Sequence, residues 1–135
     1  AAALCAPDDL IITADTMVFL DNDRLGKPRD EEDALRMLRA LSGRGHTVCT
    51  GVSVRRGAQE ERFAVSTRVF FRPMTDDEIR AYIKTGEPMD KAGAYGVQSR
   101  GALFVERIDG DFFNVMGLPV EQLGLVLARF GVKLL

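Results

Sequence analysis

Three short stretches of this sequence combine residue types that can do chemistry. The first is Asp15-Thr16. A carboxylate there can hold a divalent metal or take a proton from an attacking water, and the hydroxyl beside it can touch a base or a phosphate. The second is Gly26-Lys27-Pro28. Glycine opens the backbone, proline stiffens the turn, and lysine is a mobile point charge suited to phosphate. The third is Asp90-Lys91-Ala92-Gly93-Ala94-Tyr95-Gly96-Val97-Gln98. Here Lys91 can bind phosphate, and Gln98 can read a base edge with its amide donor and acceptor.

Each stretch also has a purely structural reading. Asp15 interrupts an apolar run that reads as buried, where a carboxylate must either bind something or be satisfied by backbone N–H groups. Lysines beside turns mostly face solvent. The third stretch also reads as a Gly-rich turn, with Asp90 as a cap and Tyr95 in the core. His46, close to Arg44, reads as structural rather than catalytic. Arg55, Arg56 and Arg62 read as a solvated strand face, and Phe63, Phe70 and Phe71 as core.

The elements that must position these residues follow from periodicity and turn chemistry. Residues 10–13 and 16–20 read as two strand segments on either side of Asp15, the second ending in the turn Asp21-Asn22-Asp23. Residues 30–41 read as a helix capped by Asp30, with Glu31, Glu32 and Asp33 at its positive end and Ala34, Leu35, Leu38 and Leu41 on one face. Residues 47–56 and 62–71 read as long antiparallel strands joined through polar residues 57–61. Thr75 and Glu78 form a capping box for a helix with Ile79, Tyr82 and Ile83 on its apolar face. Residues 86–101 read as a loop with glycines at 86, 93, 96 and 101. Residues 102–108 and 112–116 read as a hairpin about Asp109-Gly110. A last helix starts near Pro119, buries Leu123, Val126, Leu127 and Phe130, and stops at Gly131.

The bulk properties narrow the function classes. The 135 residues suit a single domain, spanning 1–135, and a hydrophobic fraction of 46% with 28% charged residues is ordinary for a globular protein. A net charge of -2 gives no global field to attract a nucleic acid polymer. Two cysteines without metal-site spacing and one histidine argue against a histidine-rich zinc site. No apolar stretch is long enough to span a bilayer, and no basic leader is present, so a membrane partner is not expected and the chain is assigned to the cytoplasm. The opening Ala1, Ala2 and Ala3 read as the end of a helix that begins outside this sequence, so an N-terminal truncation is expected. Neither a Walker A loop nor a cysteine-based phosphatase loop occurs, which weighs against a kinase-like enzyme or a general phosphatase.

Taken in order and spacing, a longer set of motifs is similar to the Maf family. The set is Ala14-Asp15-Thr16, Gly26-Lys27-Pro28, Leu41-Ser42-Gly43 with His46, Thr50-Gly51, Thr67 with Val69 and Phe71, Gly86-Glu87-Pro88, Asp90 through Gln98, and Asn114 through Pro119. It runs through essentially the whole chain. The resemblance implies an α/β fold, a twisted mixed β-sheet flanked by helices and two-lobed around a nucleotide cleft, of the Maf/Ham1-like kind. It implies hydrolysis of a nucleoside triphosphate to the monophosphate and pyrophosphate. The run from Asp90 to Gln98 is closest to the subgroup acting on dTTP and UTP, with modified pyrimidine triphosphates among the substrates and a link to septum formation.

Carried over by residue, Asp15 resembles the catalytic proton acceptor and metal ligand, and Thr16 and Gln98 resemble positions that select the base. Lys27 resembles a phosphate-binding lysine, with Asp90 and Lys91 lining the same cleft. The implied cofactor is a divalent cation, Mg2+ with Mn2+ as the alternative, and the implied assembly is a homodimer. The family's Ser-x-Ser-Pro-Arg-Arg loop has no counterpart here, which leaves a catalytically inactive nucleotide-binding or structural module as the competing reading. Ser99 stands where a glycine commonly follows the glutamine.

Overall fold

The computed structural model describes residues 5–135, so the alanines expected to end a helix lie outside the described residues. The elements are β1 (Ile11–Leu20), β2 (Asp23–Leu25), α1 (Glu31–Leu41), β3 (Gly45–Arg56), β4 (Gln59–Phe71), α2 (Asp76–Lys84), β5 (Val105–Asp109), α3 (Phe112–Met116) and α4 (Val120–Arg129). Short 3-10 turns at Glu87–Asp90, Ala92–Ala94 and Arg100–Phe104 fill the stretch between α2 and β5. The α/β class and the sheet flanked by helices are as expected. The sheet has five strands in the order β2-β1-β3-β4-β5, and each neighbouring pair among the described residues is antiparallel.

Helices α1 and α2 begin as their sequences dictate. Asp30 accepts from the Asp33 N–H at 2.8 Å at the start of α1. Thr75 and Glu78 exchange hydrogen bonds at the start of α2, closing the expected capping box. The β3–β4 hairpin is tighter than expected. Gly57 takes φ +58, so a two-residue turn suffices, and the strand resumes at Gln59 rather than Arg62.

Three sequence readings are corrected. Residues 10–13 and 16–20 are not separate segments: β1 runs unbroken through Asp15, which is exposed rather than buried. Nor do residues 112–116 form a strand. Asp111 accepts from the Phe113 and Asn114 N–H groups and caps α3 instead, while residues 102–104 belong to a 3-10 turn. The apolar run 112–116 carried no period long enough to separate strand from a single helical turn. Of the three phenylalanines expected in the core, only Phe71 is buried. The guanidinium groups of Arg68 and Arg107 lie over the Phe70 ring, 5.4 and 4.1 Å from its centre.

Along β3, alternate residues His46, Val48, Thr50, Val52 and Val54 are all buried, so one face of the strand is covered along its whole length. The covering differs along that length. Val18, Val48, Val69 and Phe71 pack with α1 and α2 in the larger core, whereas Val52 and Val54 pack with Leu123, Val126, Leu127 and Phe130 of the α4 region in a smaller one. Polar Thr50 separates the two.

Candidate active site

Strand alternation decides which sequence candidates can meet. Thr16 pairs with Thr50, on the covered face, while Asp15 pairs with Gly51, on the other. The Thr16 hydroxyl lies 2.9 Å from that of Thr50, which in turn donates to the Asn114 carbonyl at 3.2 Å. With the Thr50 proton committed inward, Thr16 donates to Thr50 and keeps its two lone pairs as acceptors. Asn114 locks this seam. Its Nδ2 donates within 2.9 to 3.2 Å to the Val65 and Val48 carbonyls and the Thr67 hydroxyl, although the side chain is fully buried.

Above the seam opens a cleft of about 430 Å3. Thr16, Val18 and Val48 form its floor, Val115 to Gly117 one wall, and Lys27, Lys91 and residues 95–99 the other. The Gly26 carbonyl accepts from the Gly93 N–H at 3.1 Å, which binds the lysine turn to the Gly-rich stretch. Gly93 has φ +73, and a Cβ there would stand 3.0 Å from Val18, so glycine is required for the stretch to lie against β1. Lys91 bonds Asp90 at 3.0 Å. That contact, helped by the charge of Lys27, holds the Asp90 carboxyl below its ordinary range.

The fold therefore brings Thr16, Lys27, Lys91 and Gln98 to one cleft, with Asp90 tethered to Lys91 beside it. Asp15 is not brought there. It lines a shallow groove of about 290 Å3 with Gly51, Ser53, Arg62 and Phe63, and its carboxylate makes no hydrogen bond or ion pair among the described residues. Because Asp15 is exposed, no burial cost demands a partner for it, and it need not be satisfied by backbone N–H groups. Among the described residues no group of three or more His, Cys, Asp and Glu gathers as a metal cage.

His46 is structural, as expected. Its Nε2 lies 2.7 Å from the Tyr95 hydroxyl, with the rings of Phe71 and Tyr95 edge-on. Burial, with a smaller push from Arg68, lowers its pKa to about 4.

Glu87 is a cleft residue that sequence reasoning passed over as a motif member, and the core residue Tyr82 is its hydrogen-bond partner. The only signal was Glu87's place between Gly86 and Pro88. Burial works to raise the Glu87 pKa, but donors from Tyr82, Ser99, Gly101 and Arg100 outweigh it and hold the group below its ordinary range.

Residues 1–130 match the family model described as Maf-like protein. The chain belongs to the Maf-like family. This Maf-like chain is 53% identical over 127 residues to the dTTP/UTP pyrophosphatase of Bacillus velezensis, covering 94% of the chain and 67% of the relative. It is 50% identical over 128 residues to the dTTP/UTP pyrophosphatase of Dictyoglomus turgidum (93% and 66%). It is 52% identical over 126 residues to that of Carboxydothermus hydrogenoformans (92% and 68%). It thus spans about two thirds of the length of these curated relatives.

Proposed function

We propose that this chain carries the nucleotide site of a nucleoside triphosphate pyrophosphatase acting on dTTP, UTP and modified pyrimidine analogues. The carrying observation is the cleft itself, where two lysines stand on the wall that also bears Gln98, above a hydroxyl that offers only acceptor character. A triphosphate is a polyanion, and Lys27 and Lys91 neutralise it where negative charge grows as pyrophosphate leaves. Uracil and thymine both present an N3–H flanked by carbonyl oxygens. Thr16 accepts from that N3–H, while the Gln98 amide N–H donates to a flanking carbonyl oxygen. Asp90 holds Lys91 in place. The relatives named dTTP/UTP pyrophosphatase, about half identical in sequence, support the same substrate class.

In this reading water attacks the α-phosphorus and Asp15 serves as proton acceptor, a role that rests on the resemblance. A divalent cation, Mg2+ or Mn2+, held at Asp15 rests on the resemblance alone, since Asp15 and the two lysines line separate pockets and Asp15 faces away from Thr16 across the sheet. It would supply charge neutralisation. The exposure of Asp15 on the opposite sheet face favours one competing reading, a nucleotide-binding module without turnover. A homodimer in the cytoplasm completes the proposal. Among the described residues no helix is long and apolar enough to cross a membrane.

The test is release of pyrophosphate against inorganic phosphate from dTTP, UTP and CTP with Mg2+, using the chain, Asp15→Asn and Lys91→Ala. Pyrophosphate from dTTP and UTP is expected, with kcat/KM lowered roughly a hundredfold in either variant. Binding of UTP without turnover in a folded chain selects the binding module. Undiminished turnover by Asp15→Asn removes that residue from the mechanism.

A further inference from the structure

Gln98 is exposed and sits on a loop whose two ends touch. A Cβ added at Gly101 would stand 2.2 Å from the Gly96 carbonyl oxygen and 2.8 Å from the Tyr82 hydroxyl, so only glycine closes the loop there. The closure is stapled from one side. Gly96 N–H donates to the Tyr82 hydroxyl at 3.0 Å, and that hydroxyl donates to Glu87. Glu87 also accepts from the Arg100 and Gly101 N–H groups at 3.2 and 3.1 Å, and from the Ser99 side chain. One phenol and one carboxylate therefore gather donors from both sides of Gln98.

The staple is anchored in the rigid part of the molecule. Tyr82 projects from α2 into the larger core, with its ring 5.0 Å from that of Phe104 in an edge-to-face contact. The Glu87 oxygens are occupied by loop donors, and bonds from N–H and O–H groups to a carboxylate are among the stronger neutral-to-charged kind. Glu87 borders the cleft, yet its hydrogen bonds are directed into the loop that carries Gln98.

We infer that the Tyr82–Glu87 pair is the positioning device that fixes the Gln98 amide and so sets discrimination between pyrimidine bases. This rests on the reading of Gln98 as the base-selecting residue. Both members are positioning residues and neither is required to touch the base. The chemistry is a matter of sign: uracil offers N3–H and the O4 acceptor, cytosine offers N3 as acceptor and N4–H2 as donor. An amide held in one orientation matches the first pattern and opposes the second. An amide free to swing matches both, and discrimination falls.

The experiment measures dissociation constants for the α,β-imido analogues of UTP and CTP, so it needs no turnover. The proteins compared are the full chain, Tyr82→Phe, Gln98→Ala and the double variant. Tyr82→Phe keeps the ring in the core and deletes only the hydroxyl. The expected result is a UTP-over-CTP preference that falls roughly tenfold in Tyr82→Phe. The double variant is expected to show no less discrimination than Gln98→Ala alone. Amide hydrogen exchange at Gly96 and Gly101 is expected to speed up in Tyr82→Phe while the α2 amides keep their protection.

If Gln98→Ala leaves the preference unchanged, or the parent chain has none, the base-reading role of Gln98 is lost and the inference goes with it. If Gln98→Ala abolishes the preference but Tyr82→Phe does not touch it, or their effects multiply in the double variant, positioning is refuted and the Gln98 reading survives.

Discussion

At one end of the β3–β4 hairpin, Val48, Val69 and Phe71 lie in a core shared with α1, α2 and the Gly-rich stretch; at the other, Val52 and Val54 meet the α4 region and Phe130. The two ends share one strand face and one alternating pattern, so the contrast comes from what covers them. The well-covered end supplies Lys27, Lys91 and Gln98 to the cleft. The seam between the ends supplies Thr16 and the wall from Val115 to Gly117. A cleft at such a seam has a rigid wall carrying the charged groups and a second wall whose support is thinner, the arrangement expected where a ligand must enter and leave.

Four measurements break or sharpen this contrast. Leu38 is fully buried in the larger core, so Leu38→Ala should cost about 4 kcal/mol in urea unfolding, lowering the midpoint of the whole transition. A loss below about 1 kcal/mol would mean that the larger core collapses around the gap and is not the rigid end.

His46 adds an acid sensitivity to that same end. Its Nδ1 has no hydrogen-bond partner among the described residues, so protonation would strand a buried donor as well as a charge. The unfolded chain binds the proton near pH 6.5 and the native chain only near pH 4, so stability is lost as pH falls between those values, by about 3 kcal/mol in all. The sole histidine gives an unambiguous ring signal in NMR. Titration of that signal near 6.5 in the folded chain would contradict the burial argument.

Asn114 belongs to the seam, and Asn114→Ala leaves the strand carbonyls of Val48 and Val65 and the Thr67 hydroxyl without its donor. A cost of about 2 to 3 kcal/mol is expected, together with weaker UTP binding because Thr50 and Thr16 are held through α3. Loss of stability with binding intact would separate the seam from the cleft.

Leu127→Ala, in the smaller core, is expected at about 2 kcal/mol, the low end for such a change, with faster hydrogen exchange confined to the α4 amides. Uniformly faster exchange across α1 and α2 would show one cooperative unit and erase the contrast.

The helix starts at Asp30 and Thr75 and the alternation along β3 were legible in the sequence because caps and periods are local: the interacting groups lie within a few residues of one another. The lysine turn, the Gly-rich stretch and Gln98 were legible as residue types, and the family resemblance ordered them. The α3 turn was not, because its five residues form a helix through the Asp111 cap and the bonds Asn114 makes to strands about fifty and sixty-five residues earlier in the chain.

What the sequence determined on its own was the family and the longer elements α1, α2, α4, β3 and β4. Only the tertiary structure decided that Thr16 faces the cleft and Asp15 does not, since neighbours in a strand point to opposite faces and which face is covered depends on the partners that pack there. It alone also decided that Tyr82 and Glu87 close the loop of Gln98, because those hydrogen bonds join residues whose spacing carries no local signal.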